Sequence, residues 1–231
     1  MEKATYRIEL PAGQGCRYRE LNTQGKGIQV KESTGANRQQ VIEATASKLS
    51  PIIKEPFGPD FTELFPRVYF APSAFKYDKS EGDMSNWQKY GEWQYRLLDG
   101  RDLLTEPFRA KLHELTAHCT TDRDKVKAIY DYLAKTTRYV SIQLGIGGLQ
   151  PIAAADVCRT GFGDCKGLSN YTRAMLKELG IASTYTVIST TNERLLPDFS
   201  SANQMNHVIL QVPLPQDTLL SLIHISEPTR L

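Results

Sequence analysis

The chain has 231 residues, enough for one large domain or two ordinary ones around a substantial core, and its 40% apolar and 23% charged content excludes a disordered chain. With 28 basic against 26 acidic residues the net charge is only +2, and no Lys/Arg block marks a nucleic-acid or anionic-lipid surface. No apolar stretch is long enough to span a membrane, and Met1-Glu-Lys-Ala-Thr-Tyr-Arg lacks the charged and apolar regions of a secretory signal.

From the start to about residue 80 the pattern is that of strands. Tyr6-Arg-Ile-Glu-Leu alternates, and Arg67-Val-Tyr-Phe-Ala-Pro is a β-branched and aromatic run closed by proline. A helix is expected from Ser85 as cap, with Tyr90, Trp93 and Leu97 on one face and Gly100 as its stop; these aromatics read as packing residues. Glu106 to Ala117 forms another helix. Thr121 with Asp124 then caps a third, whose apolar positions are Val126, Ile129, Tyr130 and Leu133. Tyr139-Val-Ser-Ile reads as a strand leading into the turn Gly145-Ile-Gly-Gly, which has no Walker lysine after it. Thr160-Gly-Phe-Gly-Asp is a loop before a helix at 165–179, with Leu168, Tyr171, Thr172, Met175 and Leu179 turned inward and Gly180 as stop. Strands at 183–189 and 206–212 follow, separated by a polar loop.

Cys165 sits in Gly163-Asp-Cys-Lys-Gly, at a loop-to-helix junction. The free N–H groups of a helix start favour a thiolate, so the expectation is a lowered pKa and an accessible nucleophile. Attack on an amide also needs a base, and a histidine is suited to shuttle the proton. His113 and His118 lie upstream on or near a helix, whereas His207 opens a strand downstream and is the better partner. Each residue has a plainer reading: a packed thiol for Cys165, a hydrogen-bonded structural group for His207. Asp164 beside the sulfur would oppose thiolate formation, so it reads as a helix cap. Asp217 reads as a turn residue. Cys158, seven residues before Cys165, fits neither a CxxC pair nor a short zinc motif, with Cys16 and Cys119 far away in sequence, and reads as a buried structural thiol. No metal and no cofactor is called for.

The segments Gly161-Phe-Gly-Asp-Cys-Lys-Gly-Leu-Ser-Asn-Tyr, Met175-Leu-Lys-Glu-Leu-Gly-Ile and Met205-Asn-His-Val-Ile-Leu-Gln-Val-Pro-Leu resemble the transglutaminase-like superfamily in its bacterial envelope form. Glu55-Pro, Pro66-Arg-Val-Tyr-Phe-Ala-Pro and Thr137-Arg-Tyr-Val-Ser-Ile-Gln-Leu-Gly-Ile-Gly-Gly extend the resemblance into a preceding β-rich domain of unknown function. The resemblance implies an α+β fold with a papain-like core, a Cys-His-Asp triad with Cys165 and His207 as catalytic residues, and an exported or periplasmic setting. The triad acid of that family lies on the strand after the histidine strand, and this chain leaves the family pattern at Asp217-Thr-Leu.

The last stretch, Leu220-Ser-Leu-Ile-His-Ile-Ser-Glu-Pro-Thr-Arg-Leu, resembles the in-frame translation of a sequencing-library adapter. The expected organisation is therefore 1–84 as the end of a β-rich domain, 85–105 as a helical connector, 106–219 as an incomplete core and 220–231 as an adapter-derived tail. With the acid and its strand missing, the histidine strand is expected at an uncovered sheet edge. The implied activity is a cysteine-nucleophile reaction on peptide or protein amides, hydrolytic or acyl-transferring, with cell-envelope peptide as one substrate class. Nucleic acid is not an expected partner, and the oligomeric state is open. The alternative is a non-catalytic binding or structural module of a cell-envelope protein with the same fold. Gln150 is a candidate side-chain donor for an oxyanion.

Overall fold

The computed structural model describes residues 2–53, 55–59, 61–191 and 195–221, with the backbone alone at 61 and 62. The chain divides into two compact units: Met1–Trp93 with Arg194–Gln204, and Gln94–Glu193 with Met205–Leu231.

The first unit is β-rich, as the alternating pattern implied. Its elements are β1 (Lys3–Leu10), β2 (Cys16–Leu21), β3 (Ile28–Thr34), β4 (Gln40–Ser47), the single turn α1 (Phe61–Leu64), β5 (Arg67–Pro72), β6 (Ala74–Tyr77), β7 (Ser80–Asp83) and the start of α2 (Trp87–Arg96). One antiparallel sheet has the order β1-β4-β3; β2 pairs with β5 and β6 with β7. The central strand β4 carries the buried Val41 and Ile42. Trp93 is edge-on to Phe75 at 4.7 Å between centroids and donates to the Ser80 hydroxyl at 2.8 Å, so this aromatic group is core. The cap of α2 is Asn86, whose Oδ1 accepts from the Lys89 N–H at 2.9 Å; Ser85 instead donates its N–H to Asp83, which corrects the expected cap.

The loop before the histidine strand is also unlike its polar sequence. Phe199, Ser200, Ser201 and Gln204 are buried in the first unit. Their polar groups are satisfied there: Arg17 donates to the Ser200 carbonyl at 2.9 Å, the Ser200 hydroxyl donates to the Met84 carbonyl at 2.6 Å, and Trp87 Nε1 donates to the Leu196 carbonyl at 3.0 Å. A short-range pattern could not show this, because these three bonds reach partners about a hundred residues or more away in sequence.

The second unit contains the end of α2, then α3 (Glu106–Thr116), α4 (Asp122–Thr136), β8 (Arg138–Tyr139), a 3₁₀ turn (Gly145–Gly148), α5 (Ala154–Thr160), β9 (Phe162–Gly163), α6 (Cys165–Glu178), β10 (Thr184–Ile188), β11 (His207–Pro213) and β12 (Thr218–Ser221). Thr121 caps α4 as expected, accepting from the Asp124 N–H at 3.1 Å while its hydroxyl donates to the Asp124 carboxylate at 2.7 Å. The expected strand at 139–142 shrinks to the two-residue β8, paired in parallel with β9. Helix α5 has no side-chain cap and gave no periodic signal in so short a span.

Helix α6 packs on the sheet β10-β11-β12. Leu112 of α3, Ile129 of α4, Met175 and Leu176 of α6 and Leu210 of β11 are inaccessible and form the centre of the core. The helix is buried on every side from Cys165 through Thr172, not along one stripe. Its polar positions therefore need partners, and Asn170 donates to the Arg101 carbonyl at 2.7 Å. The expectation that β11 forms an uncovered edge is overturned for Leu210–Pro213, because β12 pairs with it in the register Leu210↔Ser221 to Pro213↔Thr218. Leu220 and Ser221, the first residues of the adapter-like segment, complete that strand; the rest of the segment lies outside the described residues.

Candidate functional site

Cys165 is the first residue of α6 and is only 5% exposed. The Asp164 side chain caps the helix by accepting from the Gly167 N–H at 2.9 Å, with extended backbone at φ −86° and ψ −173°. Asp164 also forms an ion pair with the Lys166 ammonium, and both side chains are almost completely buried. The nucleophile candidate is thus bracketed in sequence by a buried carboxylate and a buried ammonium.

Two strands bring further groups to the sulfur. Tyr139 pairs with Gly163 in the β8–β9 ladder, reinforced by the Val140 N–H donating to the Gly163 carbonyl at 3.0 Å. That register brings the Tyr139 phenol to Cys165, where its hydroxyl favours the thiolate. From the other side the Val208 backbone N–H faces the same sulfur and favours its thiolate. Val208 follows His207, so the strand places the half-buried histidine one peptide unit from the group that touches the thiol. Asn206 anchors this end of the strand: its N–H donates to the Ile188 carbonyl at 3.0 Å and its Oδ1 accepts from the Thr190 N–H at 2.9 Å.

The thiol is held above its ordinary pKa, contrary to the expectation from the helix start. Burial is the largest cause, since it penalises the thiolate, and the Asp164 charge adds to it; Lys166, the Val208 N–H and the Tyr139 hydroxyl oppose both. Burial and the Cys165 and Asp164 charges also raise the pKa of Tyr185, whose phenol from β10 has no hydrogen-bond partner among the described residues.

The other expected residues take separate places. Gln150 accepts at its Oε1 from Arg101 at 2.8 Å, so its amide is held by that guanidinium, and Tyr139 is the side-chain donor beside the sulfur. Asp217 pairs with Arg123 of α4. His113 lies 3.3 Å from Glu178, the last residue of α6 and thus at the opposite end of the helix from Cys165. His118 and Cys119 meet at 3.9 Å between Nε2 and Sγ, just ahead of the Thr121 cap of α4. All four cysteines are free, and among the described residues no three His, Cys, Asp or Glu side chains converge as for a metal. Among them, too, no helix is long and apolar enough to cross a membrane. Sequence reasoning missed Tyr139 and Tyr185. Tyr139 stands within the quoted Thr137-Arg-Tyr-Val-Ser segment, which was the available signal; nothing short-range marks Tyr185.

Residues 109–221 match the model of the transglutaminase-like superfamily. The chain is similar in structure to a candidate protease from Parabacteroides distasonis ATCC 8503, with a TM-score of 0.70 at 14% identity over 95% of this chain and 40% of that one. It therefore spans well under half the length of that protein, and at this identity the likeness is one of fold. Weaker likenesses, with TM-scores of 0.40 and 0.37, join it to a candidate cysteine protease from Cytophaga hutchinsonii (14% identity, 95% of this chain, 71% of that one) and to the periplasmic domain of TgpA from Pseudomonas aeruginosa (13% identity, 98% and 71%). No curated protein matches the sequence. The α+β segment that carries Cys165 on a helix and His207 on the adjoining strand is a transglutaminase-like superfamily domain.

Proposed function

We propose that this domain is a cysteine-dependent enzyme acting on peptide or protein amides, with Cys165 as nucleophile and His207 as general base and acid. The observation that carries the reading is the contact between the Cys165 sulfur and the backbone of Val208, next to His207, at the start of a well-capped helix. His207 takes the thiol proton as the sulfur adds to the carbonyl carbon, then gives it to the leaving nitrogen as the C–N bond breaks. The products are an amine and a thioester on Cys165. Water releases a carboxylate from that thioester, and an amine releases a new amide; in either case the sulfur regains its proton through His207.

A thiol held neutral by burial suits this order of events, because the proton leaves only when a base and a carbonyl are both in place. Main-chain N–H groups at the start of α6 and the Tyr139 hydroxyl are the donors for the oxyanion. The setting proposed for the reaction is the cell envelope, with an exported or periplasmic domain acting on envelope peptide or protein, as the sequence resemblance implies. One feature favours the rival of a non-catalytic module: the low exposure of Cys165, at 5%.

The test is site-resolved labelling with iodoacetamide followed by mass spectrometry, alongside release of ammonia or amine from peptide amides. Cys165 should react in a manner that depends on His207, with His207→Ala slowing it while Cys16, Cys119 and Cys158 are unaffected. Labelling of Cys165 that ignores His207, together with no turnover of any peptide amide, would favour the non-catalytic module.

A further inference from the structure

The Asp164–Lys166 ion pair is absorbed by no step of the reaction, yet it brackets the nucleophile. Both side chains are buried, at 1% and 4% residue exposure, and the pair spans the one residue between them. Burying two charges is costly in desolvation before any attraction is counted, so a cap alone would be better served by a serine or asparagine. Asp164 is nonetheless a carboxylate, which caps the helix strongly but stands next to the sulfur with a charge opposed to a thiolate. The ammonium that compensates it comes from the residue on the other side of the sulfur.

We propose that Lys166 is a positioning residue for the nucleophile: its ammonium holds Asp164 in its capping geometry and cancels the field of that carboxylate at the Cys165 sulfur. The proposal rests on Cys165 being the nucleophile of the preceding section. Other ionisable groups beside the sulfur are Tyr139 from β8 and Tyr185 from β10, while His207 precedes Val208 on β11; none of the three is altered in the test.

The experiment measures the pH midpoint of iodoacetamide labelling at Cys165, resolved by mass spectrometry, with far-UV circular dichroism as the folding control. Lys166→Gln should raise the midpoint by about one pH unit, and Asp164→Asn should lower it by a similar amount. The double variant D164N/K166Q removes both charges and should return near the parent midpoint, and K166R should stay there. Should K166Q leave its carboxylate too exposed to an apolar core to fold, D164N and the double variant still decide the matter. Single variants that shift the midpoint in the same direction, or a double variant displaced as far as either single one, would overturn the proposal. Turnover is no part of the readout. Opposite shifts in a chain that processes no amide would overturn the proposed function and leave the ion-pair role standing, whereas turnover without shifts would overturn the ion-pair role alone.

Discussion

Two glycines in the second unit allow the cost of one contact to be isolated. Gly161, at the C-cap of α5, has φ +68°, and a Cβ built on it would lie 3.1 Å from the Thr136 carbonyl oxygen. Gly180, after α6, has nearly the same φ, +71°, but a Cβ there would meet nothing within 4 Å. An L-residue in the left-handed region costs roughly 1–2 kcal/mol, so Gly180→Ala should destabilise by about 1 kcal/mol through conformation alone. Gly161→Ala carries the same cost plus a backbone oxygen that must give way, and overpacking of this kind adds about 1 kcal/mol or more, for about 2 kcal/mol in all. The assay is urea unfolding followed by far-UV circular dichroism, since α3 to α6 all lie in this unit whereas both tryptophans of the chain lie in the other. The Gly161 carbonyl also accepts from the Arg138 N–H at 2.9 Å, so it ties β8 to the strand preceding Cys165. Gly161→Ala should therefore slow the labelling of Cys165 as well, and Gly180→Ala should not. Equal costs for the two substitutions, or a smaller one at Gly161, would refute the reasoning.

Tyr139→Phe removes a hydroxyl that lowers the thiol pKa, so the labelling midpoint of Cys165 should rise and labelling at neutral pH should slow, with little change in the urea midpoint. Leu176→Ala empties a position with 0% exposure in the core and should cost about 2–5 kcal/mol in urea unfolding. Stability should also fall on the alkaline side. Burial holds the folded Cys165 thiol above its ordinary pKa, so its contribution is fully present below the unfolded pKa and is lost as pH rises through the folded one. Cys165→Ala should flatten this first part of the decline in denaturation curves recorded across alkaline pH, and an unchanged slope would count against the buried environment of the thiol.

Much of the α+β fold was legible because its signals are local. The Thr121–Asp124 cap, the Asp164 cap at the start of α6, the left-handed Gly180 and the alternation of β1 depend on neighbours within a few residues, and local chemistry decides them. The pairing of Cys165 with the His207 strand was legible only as an order along the chain, since nothing in either segment measures the distance between them. For one misread segment the deciding partners lay far away in sequence. The 199–204 segment is polar in composition but is buried by Arg17 and Met84, whereas β11 is covered at one end by the nearby β12, although Asp217 between them already read as a turn residue.

By itself, then, the sequence determined the β-rich start, the capped helices and the identity of a cysteine at a helix start followed by a histidine opening a strand, because these follow from backbone hydrogen-bonding chemistry over short spans. Tertiary structure alone decided the electrostatics of the thiol. The helix start favours ionisation wherever it occurs, but packing of β8, β10 and β11 around α6 removed water from the sulfur, and that loss of solvation outweighs the local preference.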